Sequence, residues 1–166
     1  MDAYTTALTL LSRRELSTAQ LRDRLKRRKF TSEEIDPVIA RLTADRTLDD
    51  ARVAVASARL EASVRRRGRR RVLQRVRQLG INEDTARAAV DQAFGDVDES
   101  ALLDDAINRR LRHHTSGPLD AKAMARVVRG LVAQGFDAGQ VYARLRRLGT
   151  AVADEAIDEE GGEGDR

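Results

Sequence analysis

Between Ser63 and Ile81 the chain reads SVRRRGRRRVLQRVRQLGI, with eight arginines and no acidic residue. A guanidinium stays charged at any physiological pH and presents a rigid fork of donors, so such a cluster suits phosphates or carboxylates. The plain alternative is a helix face that is merely solvated. Spacing favours a partner: Arg66 and Arg70, and Arg71 and Arg75, stand four residues apart, where like charges on a helix repel by roughly 0.2–0.5 kcal/mol per pair. A phosphate backbone or an acidic protein groove would relieve that repulsion.

Other residues able to do chemistry are few. The only histidines, His113 and His114, are adjacent and cannot share one helical face as a ligand pair, so they read as a polar helix end. Asp49 and Asp50 are explained as a helix cap followed by a first-turn carboxylate. Cysteine is absent, as are a Gly-rich phosphate loop and an H-E-x-x-H pair. The expectation is a protein without catalytic residues, metal or cofactor.

Positioning the arginines requires a helix after Gly68. At about 100° per residue, Val72, Val76 and Leu79 share one face with Leu73 at its edge. Arg70, Arg71, Arg75 and Arg77 take the remaining arc, directed to solvent without a carboxylate, and Arg65, Arg66, Arg67 and Arg69 extend the patch into the preceding turn. A secondary basic surface is expected at Arg24, Arg27 and Arg28, at Arg126 and Arg129, and at Arg146 and Arg147, the first group diluted by Asp23, Glu33 and Glu34.

That helix belongs to an internal repeat. Leu21, Leu25, Phe30, Ile35, Ile39 and Leu42 map at +51 onto Val72, Val76, Ile81, Ala86, Val90 and Ala93. A further +55 reaches Val127, Leu131, Phe136, Val141, Leu145 and Leu148, and none of the eighteen positions is charged. Helix-start chemistry recurs in phase. Ser17 with Gln20 forms a capping box flanked by Leu16 and Leu21 as a hydrophobic staple; Phe30, Thr31, Glu34 and Ile35 form a second; Ile81, Asn82 and Ala86 echo it; Phe136, Asp137, Gln140 and Val141 complete the set. Turn signals "KF", "LG" and "QGF" fall at one phase, with Gly80 and Gly135 suited to the residue just past a helix end.

A further helix is expected before each pair, in "ALTLLSRR" from Ala7, "DARVAVASARLEASVRR" from Asp50 and "SALLDDAINRRLRHH" from Ser100. The unit is then three helices, used three times: 1–48, an arginine-rich 49–97, and 98–153, where Pro118 and Asp120 start the middle helix about one turn early. Pro37 leaves one start open: Thr31 as cap places it in the second turn, whereas Asp36 as cap places it at the first helical position.

Composition agrees with a folded helical chain, 41% apolar and 35% charged, with five aromatic residues (Tyr4, Phe30, Phe94, Phe136, Tyr142); thin aliphatic layers suit small helical modules. From Asp154 to Arg166 seven acidic residues face one arginine, so the net +4 is the balance of −6 on this segment and +10 on residues 1–153. A basic body with a disordered, solubilising acidic tail is expected. Lack of cysteine fits a reducing, cytoplasmic setting, and neither a secretory leader in "MDAYTTALTLLSRRE" nor a membrane span is expected.

The order of these features resembles the RecX family of recombination regulators, from about Ala7 to Leu148. Its bearers are Arg13, Arg14 and Glu15 before the capping box, "LDDAR" at Leu48 to Arg52, Gly68 with Arg71, Val72 and "LGI", and "LVAQGF" at Leu131 to Phe136. Val53 departs from the family's usual aromatic, and Arg69 from its Pro or Ser. The resemblance implies an all-α fold of three tandem three-helix repeats in an elongated curved body. It further implies an inhibitory modulator of the RecA recombinase, monomeric when free, that lies in the groove of the RecA filament on single-stranded DNA. Interference with ATP hydrolysis, filament extension and strand exchange in DNA repair and the SOS response would follow, with the arginines at Arg65–Arg77 as contact surface and double-stranded DNA as a further partner.

Two rival readings are a general DNA- or RNA-binding helical repeat protein without a recombinase partner, and a helix-turn-helix transcription factor. The first predicts a strong salt dependence on naked nucleic acid. The second needs a recognition helix and usually a dimer, which a unit repeated three times with varied polar faces does not suggest.

Overall fold

The computed structural model describes residues 2–112 and 120–148. Helices begin where a short polar side chain can accept an otherwise unpaired N–H: Asp2 before α1 (Ala3–Leu11), Ser17 before α2 (Thr18–Arg27), Thr31 before α3 (Ser32–Ala44) and Asp49 before α4 (Asp50–Arg59). Helix α4 continues into one π turn, Leu60–Val64. Then follow α5 (Arg69–Arg77), α6 (Glu83–Phe94, capped by Asn82), α7 (Glu99–Leu111, capped by Asp98) and α8 (Ala121–Ala133, capped by Asp120). Helix α9 covers 138–148, with the Asp137 carboxylate accepting from the Gln140 N–H at 3.1 Å. The described residues are thus all-helical, and the nine helices fall three by three.

Two of the expected capping boxes form in full, those of Ser17 and Thr31. The Gln20 N–H donates to Ser17 Oγ and the Ser17 N–H to Gln20 Oε1, both at 3.2 Å. The Thr31 N–H reaches Glu34 Oε2 at 2.8 Å, with the return bond at 3.4 Å. Thr31 is therefore the cap, and Pro37 lies inside α3. The ring is tolerated because the carbonyl deprived of a donor, that of Glu33, belongs to an exposed residue where water can serve it. Asp36, the other candidate cap, instead takes an ion pair from Arg22.

Two expectations are corrected. The first helix starts at Ala3, one turn before Ala7, because Asp2 accepts from the Thr5 N–H at 2.8 Å. Of the eighteen repeat positions sixteen are buried, but Phe30 is half-buried and Leu148 is 39% exposed. His113, His114, Pro118 and the tail from Asp154 lie outside the described residues.

The described residues divide into two compact units, 2–65 with 72–97, and 66–71 with 98–112 and 120–148. In the first, α1 to α3 enclose Ala7, Leu10, Leu16, Leu21, Leu25, Ile35, Ile39, Leu42 and Leu48, and α4 lies along α6. Their buried residues are mostly alanine, Ala54 and Ala58 on one side, Ala86, Ala89 and Ala93 on the other, which lets two backbones approach closely. In the second, α7 packs on α8, and Leu102, Leu103, Ile107, Val127, Val128, Leu131, Phe136, Val141 and Leu145 are buried.

One junction is made twice. In the first unit Ser17 Oγ donates to the Leu79 carbonyl, and a Cβ on Gly80 would stand 2.4 Å from Ala19 Cβ. In the second, at the same repeat positions, the Gly68 N–H donates to the Gln134 carbonyl at 3.0 Å and the Arg70 N–H to the Gly135 carbonyl at 3.2 Å. Here a Cβ on Gly135 would meet Arg71 N and Cβ at 2.4 Å. The start of a middle helix thus leans on the turn of the next pair.

Those turns share a left-handed residue at one repeat phase: Lys29 (φ 70), Gly80 (φ 75) and Gly135 (φ 98). The first turn closes with the Lys29 N–H on the Lys26 carbonyl (2.9 Å) and the Phe30 N–H on the Leu25 carbonyl (3.3 Å), a Schellman arrangement. A lysine at positive φ carries about 1–2 kcal/mol of strain that glycine avoids, offset by the entropy glycine loses on folding. Lys29→Gly is expected to stabilise the protein by about 0.5–1 kcal/mol; a lower urea midpoint for the variant would contradict this.

Candidate functional site

Helix α5 turns as expected. Val72 and Val76 are fully buried, Leu73 and Leu79 half-buried, and Arg70, Arg75 and Arg77 exposed, while Arg71 is half-buried. The expectation that this face lacks carboxylates holds for the segment's own sequence and fails in space. Acidic side chains reach the arginines from other elements.

In the first unit, Glu61 on the π turn is buried, its side chain 3% exposed, and its Oε1 lies 2.7 Å from Arg65 Nη1 and 3.8 Å from Arg75 Nε. Arg77 grips Glu83 with two donors, Nε at 2.5 Å from Oε2 and Nη2 on Oε1. Glu83 also accepts from Arg87 Nε at 2.6 Å. These bonds, that from Arg77 first and that from Arg87 second, lower the Glu83 pKa to about 2. A carboxylate depressed below its ordinary 4.5 favours folding above that pH, and the contribution is lost as pH falls from 4.5 to about 2. Glu83→Gln is expected to flatten that part of a melting-temperature against pH curve, weakly because the pair is exposed; an unchanged acid limb would refute it.

In the second unit, Arg66 Nη1 pairs with Asp105 at 2.8 Å and Arg69 Nη2 with Glu99 at 3.1 Å, both carboxylates on α7. Arg67 and Arg71 have polar contacts as well. Arg70 is exposed, its backbone N–H used in the junction with Gly135. The like-charge repulsion expected along the run is therefore partly met within the molecule. Exposed pairs of this kind are worth about 0–1 kcal/mol each, so their arginines can be transferred to an external anion at little cost.

The secondary basic residues are placed variously. Arg27 pairs with Asp23 at 3.0 Å, and Arg28 Nη1 donates to the Arg24 carbonyl at 3.4 Å. Arg24, Lys26 and Arg27 occupy the last turn of α2, where cations complement the negative helix end. Arg126 and Arg129 are exposed on α8, and Arg146 and Arg147, exposed on α9, are both engaged.

Two sets of residues acquire roles that spacing alone did not give. Arg52 Nε meets Glu15 Oε1 at 2.5 Å, while its Nη1 and Nη2 donate to the Arg46 and Thr47 carbonyls, each at 3.2 Å. It stitches the α1–α2 turn to the α3–α4 turn, so the motif residues Glu15 and Arg52 hold the fold. Asp50 does more than follow a cap: its Oδ1 accepts from the Thr18 N–H at the start of α2, at 2.7 Å. Glu61 is the residue sequence reasoning missed, although a glutamate four residues before Arg65 is a readable i, i+4 pair.

Among the described residues no group of three His, Cys, Asp or Glu could hold a metal, and no helix is long and apolar enough to cross a membrane. Open hollows lie among the described residues. One of about 420 Å³ is lined by Leu8, Leu11, Ser12, Glu15, Leu16, Thr47 and Arg52 in the first unit, and Arg52 is committed to its structural bonds. Another, about 430 Å³, lies in the second unit beside Arg144, which pairs with Asp104 at 2.5 Å.

Against known proteins, residues 3–42 match the family described as "RecX, first three-helix domain". A "Regulatory protein RecX" of Thermobifida fusca (strain YX) is 34% identical over 139 residues, covering 84% of this chain and 74% of that protein. The chain belongs to the RecX family. A second "Regulatory protein RecX", of Syntrophotalea carbinolica (strain DSM 2380 / NBRC 103641 / GraBd1), is 32% identical over 142 residues, 85% of this chain and 92% of that one. The RecX fold recurs in solved structures. "Crystal structure of regulatory protein RecX" has a TM-score of 0.75 at 23% identity, over 87% of this chain and 70% of its own. "Crystal structure of RecX from Lactobacillus salivarius" has 0.74 at 16%, over 88% and 94%.

Proposed function

We propose that this RecX-family chain regulates a RecA recombinase, as an inhibitor that occupies the groove of the filament on single-stranded DNA and slows ATP hydrolysis, filament extension and strand exchange. The observation that carries the reading is that each unit presents arginines of the Arg65–Arg77 run on exposed ion pairs, Arg77 with Glu83 in the first and Arg66 with Asp105 and Arg69 with Glu99 in the second. A nucleoprotein filament offers both phosphates and acidic side chains to receive such groups. Occupancy explains regulation without chemistry, in keeping with relatives named regulatory proteins.

The test is ATP hydrolysis by preassembled RecA filaments as the protein is added, beside its binding to the same naked DNA followed by anisotropy. Inhibition well below the concentration that coats the DNA supports a filament-directed regulator. Inhibition only where naked DNA is also saturated reduces the protein to a general nucleic-acid binder competing for phosphates.

A further inference from the structure

Of Glu61, Glu83, Glu99 and Asp105, Glu61 alone is buried, its side chain 3% exposed, against 42%, 48% and 55% for the others. The exposed three can swing away and yield their arginines to an incoming anion. Glu61 cannot leave without moving the π turn that carries it. Its Oε1 gathers two guanidiniums from different elements, Arg65 from the end of that turn and Arg75 from α5, at 2.7 and 3.8 Å, and each arginine is itself 49% exposed. All three residues lie in the first unit.

One oxygen can use only part of the donor set of two guanidiniums, which carry five N–H groups each. Both guanidiniums keep further donors on their exposed sides, and Arg75 Nη1 also reaches Gln78 Oε1 at 3.4 Å. An arginine paired in this way leaves less rotamer freedom for binding to remove.

We propose that Arg65 and Arg75 form a seat for one phosphodiester group, and that Glu61 is the positioning residue that holds the two forks side by side. This deepens the reading of the protein as a regulator acting on a DNA filament, and rests on its claim that the arginines meet phosphate. The seat carries two positive charges over one negative, so it retains a net attraction for a phosphate.

The proposal makes an expectation that bulk electrostatics reverses. Removing an acidic residue from a protein that binds a polyanion should tighten binding through the overall field. Loss of a positioning residue should weaken it.

The test measures anisotropy of a labelled oligothymidylate with the full-length chain across a salt series, for the parent, Glu61→Gln, Arg65→Gln/Arg75→Gln and the triple variant. Glutamine keeps the shape and an acceptor oxygen beneath Arg65. Glu61→Gln is expected to raise Kd at least about threefold. The double arginine variant should lower the log–log salt slope by about 0.7, the value for one phosphate contact on a single strand. In its background Glu61→Gln should no longer weaken binding.

Unchanged or tighter binding by Glu61→Gln overturns the proposal. So does an equal loss in the double-variant background, which would mark a general disturbance of the fold. Absence of oligonucleotide binding by the parent also overturns the seat, whatever the filament assay returns. Conversely, a seat that behaves as expected in a protein that leaves filament ATP hydrolysis untouched would refute the regulator reading alone.

Discussion

Gly135→Ala is expected to destabilise the second unit by about 2–4 kcal/mol. Two costs combine: φ is +98, where an L side chain pays about 1–2 kcal/mol, and the new Cβ would overlap Arg71 N and Cβ at 2.4 Å and the Gly68 carbonyl oxygen at 2.7 Å. Overpacking of this kind typically adds about 1–3 kcal/mol, and backbone atoms cannot step aside as a side-chain tip would. Gly68→Ala attacks the same junction from the other side, its Cβ placed 2.5 Å from the Gly135 carbonyl carbon and oxygen. The readout is a urea midpoint with hydrogen exchange of the Gly68 and Arg70 amides, which donate to the Gln134 and Gly135 carbonyls. Parent-like protection of both amides in Gly135→Ala would show that the junction is not what the glycine serves.

The second large effect is functional. Arg66→Gln/Arg70→Gln/Arg77→Gln should weaken association with single-stranded DNA and its filament at least about tenfold, since each charged hydrogen bond lost is worth about 1.5 kcal/mol or more before the cost of leaving its internal partner. On the naked strand the salt slope should fall by about 2, at roughly 0.7 per phosphate contact. Asp105 and Glu83 would be released by the same changes, and both are exposed carboxylates that water accepts, so the folded state should survive. Retained affinity with an unchanged slope would remove these three arginines from the contact surface.

What the sequence disclosed and what it hid divide by distance along the chain. Caps are local: Ser17 with Gln20 and Thr31 with Glu34 are three residues apart, and the structure forms both boxes. The buried face of α5 follows from period alone, and Val72 and Val76 are fully buried. The charge balance of the site is not local. Asp105 lies 39 residues from Arg66 and Glu99 lies 30 from Arg69, so a run that is purely basic in one dimension becomes a mixed surface in three. The spacing of Glu61 to Arg65 is readable but its burial is not: a π turn has no residue signature, and without it an acidic side chain before three arginines looks like ordinary solvated charge. Glu15 and Arg52 were visible as a motif, yet spacing cannot tell a recognition residue from a brace; only the bonds of Arg52 to the Arg46 and Thr47 carbonyls do so.

The three left-handed turns also differ in their freedom to mutate. Gly80 and Gly135 each have another helix start pressed against them, while Lys29 is exposed. At position 29 the backbone alone discriminates among residues, so asparagine, aspartate or a basic side chain can be exchanged by drift at a modest cost. Positions 80 and 135 are closed to every side chain at once, because the neighbouring helix start fills the space where a Cβ would go. Should a RecX-type repeat be duplicated within a chain, the turn newly leaned upon would come under selection for glycine at the moment the copy docks, and a turn left uncovered would be released from it.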